Sequence, residues 1–122
     1  MCDDMTQSTS FLALQAEITA VKRIAARSCG GLAAEPRTER VLRAMLLGAL
    51  YRVPSISRLC DAVGEDLLFG WFMDLDDCDG PLSAREIALD CRRMVADGTA
   101  RAFFSRVAAL ARDEGIVLPL AA

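Results

Sequence analysis

The chain contains no histidine, a single tryptophan, a single tyrosine and no CxxC pair among its five cysteines. Each absence closes a class of function. Without histidine or paired cysteines there is no ligand set for a zinc finger, and Cys2, Cys29, Cys60, Cys78 and Cys91 are too scattered and too odd in number for a disulfide framework. They read as reduced thiols in a cytoplasm. No glycine-rich phosphate loop and no nucleophile motif is present, and the commonest general base is missing, so nothing supports an enzyme. No cofactor and no metal is expected. Aromatics make up only 6% of the residues, so a core must be built from Leu, Val, Met and Ala, residues that suit helices packed closely on helices. No segment approaches the roughly 18 to 20 unbroken apolar residues of a membrane span. The opening Met1-Cys2-Asp3-Asp4 is acidic, the opposite of a signal peptide. A cytoplasmic protein with no membrane partner is the expectation.

What is present is ample apolar material, 53% hydrophobic against 25% charged over 122 residues, enough for one folded domain. The formal net charge of −3 argues against nucleic acid until its distribution is read. Residues 20 to 58 hold Lys22, Arg23, Arg27, Arg37, Arg40, Arg43, Arg52 and Arg58 against Glu35 and Glu39 alone. Residues 59 to 84 carry no base but Asp61, Glu65, Asp66, Asp74, Asp76, Asp77 and Asp79, and residues 85 to 112 turn basic again. A chain so divided can present a basic face while being acidic overall.

Hydrophobic periodicity predicts six helices and no strand. The first runs from about Thr9 to Ser28, with Leu12, Ala16, Ala20 or Val21, and Ile24 at helical spacing and Gly30-Gly31 as its stop. The second opens at Pro36, a residue suited to a first helical position. Its apolar stripe of Val41, Leu42, Met45, Leu46, Ala49 and Leu50 is too wide for a surface helix, which predicts a central one. Ser55 caps a helix from Ile56 to Val63, and Glu65-Asp66 fronts a short helix with Leu67, Leu68, Trp71, Phe72 and Leu75. Ser83-Ala84-Arg85-Glu86 is a capping box for a helix to about Ala96. Thr99 caps the last helix, with Phe103, Phe104, Val107, Leu110 and Ala111 inward and Gly115 at its end. The expected fold is all-α, a compact bundle of about six helices with a helix-turn-helix-like central part.

The order of blocks carries more than the fold class. Glu39 to Tyr51 (ERVLRAMLLGALY) is followed by Ile56-Ser57-Arg58-Leu59, then Leu68-Phe69-Gly70-Trp71-Phe72 with Asp74-Leu75. Next come Cys91-Arg92-Arg93-Met94, Ala100-Arg101-Ala102-Phe103-Phe104 and Ala111-Arg112-Asp113-Glu114-Gly115-Ile116. This series resembles the amino-terminal domain of bacterial DDE transposases of the insertion-sequence-five type, over roughly residues 36 to 117. The resemblance divides the chain into an N-terminal helix and linker (1–35), the transposase-like helical domain (36–117) and a tail (118–122). It implies recognition of an element's terminal DNA by this domain. In the family, an RNase H-like domain with Asp, Asp and Glu metal ligands follows and does the cutting. Here Val117 to Ala122 closes the sequence before the first of those ligands, so the resemblance implies a non-catalytic, domesticated or truncated module. Two positions depart from the pattern: Gly70 and Cys91 stand where the family has Arg.

Within the resemblance, Arg37, Arg40 and Arg43 recur every three residues and are expected to share one helix face. Arg52 and Arg58 flank the turn to the next helix, and Ser55, Ser57 and Arg58 are placed nearest to bases. These seven residues form the candidate DNA-binding set. The bland alternative is a solvated face in which Glu39 and Arg43 form an i,i+4 pair. Asp77, Asp79, Gly80, Leu82 and Glu86 fit five positions of a calcium loop, but Leu75 occupies the essential first position and Glu86 already serves the capping box, so a plain acidic loop is expected. Trp71, in an apolar helix with no base nearby in sequence, reads as core. Cys91 reads as half-buried and inert despite Arg92 and Arg93. A second function class competes with DNA binding: an interaction or oligomerisation module whose partner is another copy or a full-length transposase.

Overall fold

The structure, a computed structural model, describes residues 18–32, 35–74 and 83–118. Those residues form six helices and no strand: α1 (18–28), α2 (Pro36–Leu50), α3 (Ile56–Glu65), α4 (Leu67–Phe72), α5 (Ala84–Ala96) and α6 (Thr99–Asp113). The expected all-α bundle is the observed one. Residues 9–17 of the expected first helix lie outside the described residues. None of the helices is long and apolar enough to cross a membrane.

The helix ends follow from local chemistry. Pro36 sits in the first turn of α2, where its missing N–H costs no hydrogen bond. The Ser55 hydroxyl accepts from the Arg58 N–H at 3.2 Å, and the Asp66 carboxylate accepts from the Leu68 N–H at 2.8 Å, satisfying first-turn donors of α3 and α4. Ser83 does the same for Glu86 at the start of α5. The start of α6 differs from expectation. Gly98, in the left-handed region at φ 86°, occupies the cap position, and Asp97 takes the Thr99 N–H at 2.9 Å, so Thr99 is capped rather than capping. The tight reversal out of α5 requires a left-handed residue, and only glycine meets that without strain.

α2 is the central element, packing on α3, α5 and α6, while α3 leans on α4 and α5. Its Leu42, Leu46 and Leu47 are fully enclosed and meet Phe72, Phe103, Val107 and Ile24 in one core. The expected stripe is turned slightly. Ala44 and Leu47 are buried, whereas Met45, Ala49 and Leu50 are half-buried. A helix covered on several sides buries more than one stripe, so alternate positions compete for the deepest place.

Three long polar side chains tie the helices together at the periphery. Arg23 of α1 reaches Glu114 at 3.1 Å, Arg37 of α2 reaches Asp90 of α5 at 2.7 Å, and Arg106 of α6 donates to the Ser28 and Gly30 carbonyls at the end of α1. The last of these serves carbonyls that the helix itself leaves unpaired. Because Leu46 is enclosed and Leu67 stands in solvent, Leu46→Ala should cost about 2–5 kcal/mol and Leu67→Ala no more than about 0.5 kcal/mol in urea unfolding.

Candidate nucleic-acid interface

The α2–α3 corner is built by a five-residue connection. The Tyr51 N–H returns to the Leu47 carbonyl and the Val53 N–H to the Gly48 carbonyl, both at 3.0 Å, so the chain folds back tightly at the end of α2. Arg52, between them, is held at φ 51°, in the left-handed region. Its side chain is exposed. Beneath the turn, Ile56 and Leu59 of α3 face Met45 and Gly48 of α2 across an apolar groove of about 290 Å³ that Cys91 and Phe104 also line. Leu59 and Val63 point inward, leaving Ser57, Arg58, Asp61 and Glu65 on the outer side of α3. Arg52 and Arg58 have no ion-pair partner among the described residues, and Ser57 stands exposed beside Arg58.

The expected basic face of α2 does not exist as a single surface. Arg37 is exposed but its guanidinium is held by Asp90, whose side chain is nearly buried; that bond holds the guanidinium proton still more firmly than usual. Arg40 is half-buried and interacts within the protein, lining a small polar cleft with Glu39, Arg43 and Asp74. Arg43 is 5% exposed and cannot reach a phosphate. Each three-residue step swings the side chain about 60° back around the helix, so by the third arginine the direction has turned about 120° and into the protein. Ser55 spends its acceptor on the α3 cap, though its hydroxyl proton stays available. Of the seven expected residues, the structure gathers Arg52, Ser55, Ser57 and Arg58 at one corner and leaves the three arginines of α2 apart from them.

Arg43 serves the fold instead. Its guanidinium donates to the Phe72 carbonyl at 3.0 Å, to Asp74 at 2.7 Å and to Glu39 at 2.7 Å. Asp74, at φ 54° at the end of α4, also holds Lys22 of α1 at 2.6 Å. Asp tolerates that left-handed conformation better than most residues. Burial pulls the Asp74 pKa up, and hydrogen bonds and charge from Lys22 and Arg43 outweigh it, leaving the carboxyl below its ordinary value of 3.8. Lys22 in turn lies 4.3 Å from the centre of the Trp71 ring. Trp71, expected in the core, is 41% exposed, and a base stands over it after all. Sequence distance hid that neighbour: Lys22 comes from a different helix.

The three thiols among the described residues, Cys29, Cys60 and Cys91, are held in their protonated, poorly nucleophilic form. Burial, assisted by Glu39, pushes Cys29 up to about 11, and burial also raises Cys60 and Cys91, with Asp90 adding to the effect on Cys91. Arg92 and Arg93 do not reverse this. Gly70 has space for a side chain, since a Cβ there would lie 3.7 Å from the Val63 carbonyl; nothing in the packing requires glycine. No group of metal-ligating side chains occurs among the described residues, and the Asp77, Asp79, Gly80 and Leu82 positions of the acidic loop fall outside them.

No protein-family model, no curated protein and no solved structure matches the chain.

Three outcomes follow from the geometry. Arg43→Ala should destabilise by about 2–3 kcal/mol, below the cost of breaking a fully enclosed pair because Glu39 and Asp74 still reach water. With the folded pKa of Asp74 depressed, its stabilising effect is complete above pH 3.8 and lost as pH falls through the folded value. Urea midpoints measured across the acid range should therefore drop more for the native chain than for Asp74→Asn. Cys29, with its pKa near 11, should react with a thiol reagent at pH 8 far more slowly than a free cysteine, and reach that rate only on unfolding.

Proposed function

We propose that the chain is a non-catalytic DNA-binding module that contacts phosphates through the α2–α3 corner. The observation that carries the reading is the free, exposed pair Arg52 and Arg58 on either side of a tight turn between two packed helices, with Ser57 beside them. Arginines tied to carboxylates contribute little to phosphate neutralisation, so an unpaired couple on a rigid corner is where a polyanion gains most. The likeness of the block order to a transposase amino-terminal domain supports the same reading. Asp61 and Glu65, further along the outer side of α3, limit the contact to the helix start. Binding is accordingly weak, non-specific in its main component and strongly salt-dependent.

Fluorescence anisotropy against a random-sequence duplex at several salt concentrations tests this. Affinity should fall steeply as salt rises. Arg52→Glu with Arg58→Glu should abolish binding, and the neutral pair Arg52→Ala with Arg58→Ala should flatten the logarithmic salt slope by about 2. Unchanged affinity in both variants would remove the corner from consideration.

A second reading, an interaction module in which DNA plays no part, is favoured by one observation. Leu67 is 92% exposed in a short helix that could have buried it.

A further inference from the structure

Among the described residues two faces are left uncovered, and they complement each other. The first lies on α4, where Leu67 and Trp71 are one turn apart and so share a side. Glu65 and Asp66 immediately precede Leu67, and Asp61 lies one turn back on α3, all three exposed. Lys22, over the Trp71 ring, is already paired with Asp74. This face is apolar with an acidic border.

The second lies on α5. Arg85, Leu89, Arg92 and Ala96 follow the spacing i, i+4, i+7, i+11 and form one outward stripe, with Leu89 56% exposed and Val95, 65% exposed, at its edge. Neither Arg85 nor Arg92 has an ion-pair partner among the described residues; Arg93, on the flank, is turned to Asp90, and Glu86 stands on that same flank. This face is apolar with a basic border. α3 packs against both α4 and α5, so the two faces belong to elements with a common neighbour. In a two-fold dimer each face of one copy would stand opposite the other face of its partner.

We infer that two copies of the chain associate through these faces, the Leu67–Trp71 edge of each copy docking on the Leu89 stripe of the other. Asp61 and Glu65 of one copy then lie opposite Arg85 and Arg92 of the other. The apolar centre supplies the attraction and the charged borders fix the register. A copy turned by half a turn would set like charges together, which the same borders disfavour. The inference gives the interaction reading a partner, another copy of the chain, and does not rest on DNA binding.

Light scattering on the purified chain over a range of concentrations tests it without nucleic acid. A dimer mass that weakens as salt rises is expected, together with a blue shift of the emission of Trp71, the only tryptophan, as concentration increases. Leu67→Asp, at a position already in solvent, should keep the melting curve of the folded chain and give a monomer. Arg85→Glu with Arg92→Glu should be monomeric, as should Asp61→Arg with Glu65→Arg. Combining all four reversals in one chain should restore the dimer. A monomer at every concentration, a dimer that survives each variant, or a combined variant that stays monomeric would overturn the inference.

Discussion

The buried guanidinium of Arg43 is the constraint around which the charged part of this structure is arranged. It joins the central helix to the end of α4 through the Phe72 carbonyl and Asp74, and binds Glu39 one turn back on its own helix. Through Asp74 the same cluster reaches Lys22 of α1 and the ring of Trp71. Its two terminal nitrogens are hydrogen-bonded, while the buried Nε is left without a partner among the described residues. A cation so nearly enclosed must be matched in charge, or its desolvation would outweigh what the contacts return. The match dictates where α4 ends, why Asp74 takes a left-handed conformation, and why Trp71 faces outward beneath an ammonium instead of entering the core.

That arrangement changes the meaning of the chain's basic residues. Arg23, Arg37, Arg43 and Arg106 hold helices together through carboxylates or carbonyls. Arg52 and Arg58, and on another face Arg85 and Arg92, remain in solvent. A count of arginines along the sequence overstates the surface available to a polyanion, and the net charge understates how local a free basic corner can be. Function, on this account, belongs to the arginines the fold does not use.

Much of the architecture was legible because it rests on near-neighbour rules. Pro36, Ser55, Asp66 and Ser83 mark helix starts through their own side chains, and the apolar breadth of α2 announced a central helix. The Thr99 cap was misplaced because Gly98 and Asp97 offered a competing solution one and two residues earlier, a choice that local pattern does not decide. The site was less legible for a different reason. Whether Arg43 faces water or Asp74 depends on a carboxylate 31 residues away, just past the end of a separate helix. Trp71 was misread likewise, since its companion Lys22 belongs to α1. The exposure of Arg52 and Arg58 was legible because a turn with flanking bases is itself a local pattern.

The central claim is that basic groups divide into a set tied up within the fold, with Arg43 buried at its centre, and an exposed pair at the α2–α3 corner proposed to meet DNA. The most direct measurement is a nitrogen–proton NMR titration of the chain with a short duplex, following backbone amides and the arginine Nε–H groups together. The account predicts shifts concentrated at Arg52, Ser55, Ser57 and Arg58, with the Nε–H of Arg43 protected from exchange and unmoved throughout. Shifts centred on Arg43, or none at the α2–α3 corner at saturating duplex, would contradict it.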